Sequence, residues 1–270
     1  MTRRYSTLLL AGVFLLCAPL ATRAQTPSAQ THSTSQPCRI NGSPQSRTLP
    51  VPVREPFGAT LSDLRNLATL ENATVLGIGS AAAFGVHQAD GRISRSLEGP
   101  HALAAMRPGS VIGSGPVQLG AAAATYALGR AFARPCVAGV GADLIRAQLV
   151  SQALTMGLKV SFQRDRPDGT SLGFPSGHTS MSFATATVLQ KHYGWKVGVP
   201  AFAVATYVGA SRIQTGRHYA SDVAFGAALG IMAGHTVTLG RAWTVAPMAS
   251  AGGGGVALTW TGESNRRSGP

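Results

Sequence analysis

The chain has 270 residues, a formal net charge of +13, 44% hydrophobic residues and only 12% charged ones. It is too apolar to be disordered, has the length of one medium-sized domain, and is unusually poor in charge for a protein wholly surrounded by water. The positive excess favours anionic partners. The arginines are spread thinly, with no basic block interleaved with aromatics, which argues against nucleic acid and for phosphorylated small molecules or anionic lipid surfaces.

Residues 1–24 read as a secretory signal peptide: Arg3 and Arg4 come first, an apolar run extends from Leu8 to Leu20, and the small Ala24 precedes Gln25. The run is short for a bilayer span, so cleavage is expected rather than an uncleaved anchor. Loss of Arg3, Arg4 and Arg23 leaves +10 on an exported chain, periplasmic or held at the periplasmic face of the membrane. Cys38 and Cys136 then remain, which permits one disulfide in an oxidising compartment without establishing it.

From Gln25 to Phe57 the chain is rich in Ser, Thr, Gln and Pro and reads as a flexible linker. Alanine-rich apolar segments follow at Ala73 to Val86, Gly109 to Ala131, Val137 to Val160, Thr179 to His192, Val197 to Ser211 and Ser221 to Leu239, with lengths that favour helices. Gly99-Pro100, Arg107-Pro108 and Arg166-Pro167 read as breakers between them. The expected architecture is an all-α helical bundle over residues 58–240. Pro108 to Gly129 and Val223 to Gly240 carry no Asp, Glu, Lys or Arg and approach the length of a membrane span, but Gly115-Pro116 interrupts the first, and a periplasmic domain lying against the membrane is expected. In residues 241–270, two alternating stretches around four glycines predict a C-terminal β-hairpin.

Three blocks concentrate the chemistry. The first is Lys159 with Arg166-Pro167, the second Pro175-Ser176-Gly177-His178, and the third Ser211-Arg212 with His218 and Asp222. His218 and Asp222 are four apart in a helical pattern, so they are expected on one face, where the carboxylate fixes the imidazole tautomer and frees the other nitrogen as a nucleophile. His178 opens a helix, where unpaired amides attract anions; Ser176 and Gly177 are placed to donate to phosphate oxygens, and His178 to protonate a leaving alkoxide. Lys159, Arg166 and Arg212 supply the positive charge that phosphoryl transfer requires. Arg164, Lys191, Lys196 and Arg217 read as solvated charges.

These blocks resemble, position for position, the three-part signature of the type 2 phosphatidic acid phosphatase and vanadium haloperoxidase superfamily, over about residues 144–239. The resemblance implies a helical bundle, a phosphohistidine intermediate and no metal. It implies that Lys159, Arg166, Ser176, Gly177 and Arg212 hold phosphate, that His218 attacks, that His178 protonates the leaving group and that Asp222 orients His218. The expected substrate is a phosphate monoester or pyrophosphate, lipid-linked in the first instance. The short link from Asp168 to Phe174 leaves little room for a substrate-selecting insertion.

Rival readings are a soluble periplasmic non-specific acid phosphatase and a haloperoxidase, whose pocket would hold vanadate as cofactor where a phosphatase would meet it as inhibitor. A non-catalytic protein binding anionic lipid leaves the histidine pair unexplained. A two-metal phosphatase needs converging carboxylates, and only Asp222 lies in a catalytic block.

Overall fold

The computed structural model describes residues 38–40, 43–45, 63, 67–97, 100–238, 243–250 and 253–260. Within them the chain forms strands β1 (Cys38–Ile40) and β2 (Ser43–Gln45), helices α1 (Leu70–His87), α2 (Asp90–Leu97), α3 (Pro100–Ile112), α4 (Gly115–Ala131), α5 (Pro135–Phe162), α6 (Gly177–Tyr193), α7 (Trp195–Gln214) and α8 (Ala220–Thr238), and strands β3 (Trp243–Ser250) and β4 (Gly253–Trp260). The domain is all-α. The expected C-terminal hairpin is present, β3 pairing antiparallel with β4 from Trp243 opposite Trp260 to Ser250 opposite Gly253.

Several expectations need correction. The single segment from Gly109 to Ala131 is two helices, because Gly113 and Ser114 break it and Ser114 caps α4 with Pro116 in its first turn. Arg107-Pro108 is no loop: Pro108 lies inside α3. Helix α2 had no apolar pattern to announce it, being the eight residues DGRISRSL. Three-residue strands β1 and β2 pair within the stretch read as linker. The leader, 1–24, lies outside the described residues. Cys136 is disulfide-bonded.

The helices pack closely because the residues between them are small. Helix α6 packs against α5, α7 and α8, while α1 lies on α8, α4 on α5 and α3 on α7. One apolar cluster joins Ala122 of α4, Leu144, Ala147 and Val150 of α5, Ala184 and Val188 of α6, and Ala233 and Val237 of α8. A Cβ at Gly230 would collide with the Ser180 carbonyl, and one at Gly79 with Ala228, so α8 approaches its neighbours to distances only glycine allows.

Several large apolar side chains face outward: Leu70 is 84% exposed, Phe84 77% and Phe132 70%. Among the described residues no helix is long and apolar enough to cross a membrane.

The alternating run of α5, α6, α7 and α8 brings four helix ends together: the C-termini of α5 and α7 and the N-termini of α6 and α8. Two positive dipole ends therefore meet there. At the opposite end, Arg146 pairs with Asp143 and Asp63, and His192 Nε2 lies 2.9 Å from Asp143 Oδ2.

Candidate active site

Lys159 ends a buried stripe on α5 that runs Ala147, Ser151, Thr155, Lys159, one residue per turn. Ser151 and Thr155 hydrogen-bond Ser180 of α6, which fixes the two helices in register. Helix α5 stops at Gln163, whose left-handed backbone returns its N–H to the Lys159 carbonyl. The loop beyond is held by Phe174, packed between Phe162 at 5.2 Å and Phe225 at 4.9 Å.

Within that loop Lys159 Nζ and Arg166 Nη2 both donate to the carbonyl of Leu172. Leu172 has φ 63°, a left-handed backbone that costs a residue with a Cβ about 1 kcal/mol or more and marks the turn as held by its surroundings. Two cations seven residues and one helix end apart are thus gathered on one oxygen.

Ser176 is fully buried and caps α6; its N–H donates to the carbonyl of Asp222, and its Oγ accepts from Thr179 Oγ1. The Ser176 hydroxyl proton therefore stays available. A Cβ on Gly177 would meet Gln152 and Thr155 at 3.5 Å, ordinary contact, so glycine here is not forced by protein packing. Arg212, in the last turn of α7, donates from Nη1 to Ser110 Oγ on α3 at 2.8 Å.

His218 lies in the turn between α7 and α8, not on a helix as its spacing from Asp222 suggested. Asp222 sits in the first turn of α8, where its Oδ2 accepts the N–H of Tyr219 at 2.9 Å. The two side chains still meet, with Nδ1 of His218 3.7 Å from Oδ2 of Asp222. That is an ion-pair separation and longer than a hydrogen bond. Nδ1 of His218, Nε of Arg166 and Nε of Arg212 are buried nitrogens without a protein partner.

The charges report how closely these groups converge. Burial, then Arg212, His218, Arg166 and Lys159, push His178 down to about 4. Burial lowers His218, and Asp222 opposes it. Lys159 is lowered to about 8 by burial and Arg166, and Arg212 to about 10 by burial and Arg217. The structure therefore brings Lys159, Arg166, Arg212, His178, His218 and Asp222 into one cationic pocket, with Ser176 and Gly177 at the start of the helix beside it.

Arg164 was missed. Far from being a solvated charge, it donates from Nη1 to Asp222 Oδ1 at 2.7 Å and to Ser221 Oγ, and from Nη2 to Asp90 Oδ2 at 2.9 Å. Its guanidinium lies 4.6 Å from the centroid of the Tyr219 ring. Asp90, on the unannounced helix α2, was missed with it. The available signal was scarcity: the chain has only ten acidic residues, and a buried one must have a partner. Arg217, by contrast, is a largely exposed charge paired with Asp168 at 3.0 Å.

Residues 141–245 match the PAP2 superfamily model. A lipid A 1-phosphatase of Porphyromonas gingivalis is 47% identical over 98 residues, 32% of this chain and 22% of that protein. A lipid A 4'-phosphatase of Helicobacter pylori is 33% identical over 100 residues, 33% of this chain and 50% of that protein. The matches thus span a half or less of the length of these relatives. The crystal structure of a transmembrane PAP2-type phosphatidylglycerolphosphate phosphatase from Bacillus subtilis superposes with a TM-score of 0.52 at 25% identity, over 68% of this chain and 94% of the other. The matched segment holds all three blocks of the pocket, from Lys159 to Asp222, and it is through this segment that the chain resembles the type 2 phosphatidic acid phosphatase (PAP2) superfamily.

Proposed function

We propose that this chain is a phosphoric ester hydrolase that removes a phosphate from a lipid, without a metal, through a phosphohistidine on His218. The observation that carries the reading is the pair of buried Nε donors on Arg166 and Arg212 that no protein group satisfies, set beside Lys159 and two histidines. Buried guanidinium donors are costly unless an acceptor completes them, and a phosphoryl group supplies oxygens in the geometry they need.

In the proposed reaction Lys159, Arg166 and Arg212 bind the phosphate oxygens, joined by the Ser176 hydroxyl and the N–H groups that open α6. The Nε2 of His218 attacks phosphorus while Asp222 faces Nδ1 and stabilises the imidazolium that forms. His178 protonates the departing alkoxide, then as a base takes a proton from the water that hydrolyses the phosphohistidine. Cations pre-placed around the equatorial oxygens supply most of the stabilisation. Among the described residues no three of His, Cys, Asp or Glu come together as a metal ion requires.

A lipid substrate is supported by the named relatives, which include phosphatases of lipid A. It is also supported by a bundle whose core is rich in alanine and in small polar residues while Leu70, Ile78, Phe84, Phe132, Phe162 and Trp195 stand outside, the arrangement an apolar surrounding stabilises. The test is fractionation of the full chain with and without detergent, then assay of lipid A, phosphatidate and p-nitrophenyl phosphate before and after EDTA. Membrane retention, lipid preference and EDTA resistance are expected. Loss of activity that zinc or magnesium restores would refute the metal-free chemistry, and equal turnover of the soluble ester from a detergent-free fraction would refute the lipid assignment.

A further inference from the structure

We propose that Asp90 is a positioning residue for His218, acting through Arg164 and Asp222. The inference rests on His218 as the nucleophile but concerns a residue outside the PAP2 segment, on helix α2.

Asp222 has one oxygen toward His218 and the other, Oδ1, held at 2.7 Å by Nη1 of Arg164. The orientation of the carboxylate therefore follows that of the guanidinium. Arg164 is itself fixed at its other nitrogen, where Nη2 donates to Asp90 Oδ2 at 2.9 Å. Because the guanidinium is planar and rigid, two carboxylates on its two nitrogens fix its plane and its position together.

Asp90 is only 4% exposed, and a buried carboxylate is retained only where it is fully engaged. Its Oδ1 accepts the backbone N–H of Ser221 at 3.0 Å, and its Oδ2 accepts the Ser221 hydroxyl. It thus holds the start of α8 one residue from Asp222 while it anchors Arg164. The ring of His87 closes the outer edge, with Nδ1 3.1 Å from Asp90 Oδ2 and 3.2 Å from Arg164 Nη2.

The chain of contacts is Asp90, Arg164, Asp222, His218, and only its last step is longer than a hydrogen bond. With Asp90 removed, Arg164 is free to swing toward solvent or pair more closely with Asp222, and either movement takes Oδ2 away from the imidazole. Ground-state phosphate binding by Lys159, Arg166 and Arg212 does not pass through this chain.

A simple role in fastening α2 to α8 predicts lost stability that is indifferent to Asp222, whereas positioning predicts coupling to it. The test is a double-mutant cycle on the full chain, measured as hydrolysis of p-nitrophenyl phosphate. Asp90→Asn is expected to lower kcat about tenfold with KM within roughly twofold, and to change kcat by less than about twofold once Asp222→Ala is already present. Arg164→Lys, which can reach only one of the two carboxylates, is expected to behave in the same way and serves if Asp90→Asn does not fold. Equal losses in both backgrounds, or no loss in either, would overturn the proposal. If wild type turns over the ester and His218→Ala does so equally well, the nucleophile assignment itself fails; if His218→Ala is inactive and the Asp90 effect is additive, only the present proposal fails.

Discussion

His218 Nδ1 stands 3.7 Å from Oδ2 of Asp222, and that oxygen already accepts the N–H of Tyr219. The carboxylate therefore fixes the turn and faces the histidine at once. It lies where a proton retained on Nδ1 leaves Nε2 unprotonated for attack. Asp222→Asn keeps the shape but removes the charge that stabilises the imidazolium. It is expected to lower kcat by about 10²–10⁴-fold with little change in KM, as in other histidine-carboxylate pairs. Steady-state kinetics on p-nitrophenyl phosphate checks this; a change confined to KM would show Asp222 to be a binding residue.

Lys159 is lowered to about 8 by burial and the neighbouring Arg166. As pH rises through that value the ammonium is lost and the pocket holds the phosphate dianion less well. The quantity kcat/KM, which reports the free enzyme, is therefore expected to fall above about pH 8. Lys159→Arg keeps its charge to higher pH, so its profile, at a lower plateau, is expected to lose that descent. An unchanged alkaline limb in the variant would assign the titration to another group.

His178 is held at about 4 by burial and by Arg212, His218, Arg166 and Lys159, well below its ordinary 6.5. A general acid needs its proton, and a dianion among those same cations reverses the field. Vanadate binding is expected to raise the His178 titration toward the ordinary range, measured by NMR of the ring carbons. The sign of the stability effect follows. Below 6.5 the unfolded chain takes up protons that folded His178 and His218 refuse, so stability present at neutral pH is lost as pH falls toward 4. Thermal unfolding from pH 7 to pH 4.5 is expected to show a falling midpoint, with a smaller fall in vanadate. A midpoint independent of vanadate would contradict the placement of His178 beside the anion.

Close approach of α8 to α6 is the packing feature on which the pocket depends. Gly226 lies against Ser176, where a Cβ would come within 2.7 Å of its carbonyl, and Gly230 lies against Ser180 one turn on. Gly230→Ala forces the helices apart and is expected to cost about 1–3 kcal/mol, as overpacking does. Chemical unfolding checks the magnitude. Stability equal to wild type would show that the helices separate without cost.

The sequence carried the pocket better than the bundle around it. Lys159, Arg166, Ser176, His178, Arg212, His218 and Asp222 could be named because phosphate chemistry limits the residue types and because Pro and Gly mark the turns that hold them. The relation of His218 to Asp222 was reached through the wrong geometry: the four-residue spacing belongs to a turn and a helix cap, which bring the pair together as a helical face would have done. Arg164 and Asp90 were not legible, since their meaning lies in a contact between residues 74 apart, and neither stands in a periodic pattern. Helix α2 escaped for the same reason; its polar turns are stabilised by tertiary contacts, with Asp90 satisfied by α8 instead of by its own neighbours. Pro108 misled because α3 continues through it despite the hydrogen bond a proline removes, its preceding turn being held on α7 where the Tyr207 hydroxyl donates to the Ala105 carbonyl.

The central claim is the covalent bond between phosphorus and His218. Rapid acid-free quenching of the full chain during turnover of a radiolabelled phosphomonoester, followed by peptide mapping, tests it most directly. The expected result is one phosphoryl group on the peptide bearing His218, acid-labile and base-stable, accumulating in His178→Ala and absent from His218→Ala. Label on another residue, or full hydrolysis by His218→Ala with no labelled intermediate, would contradict the account.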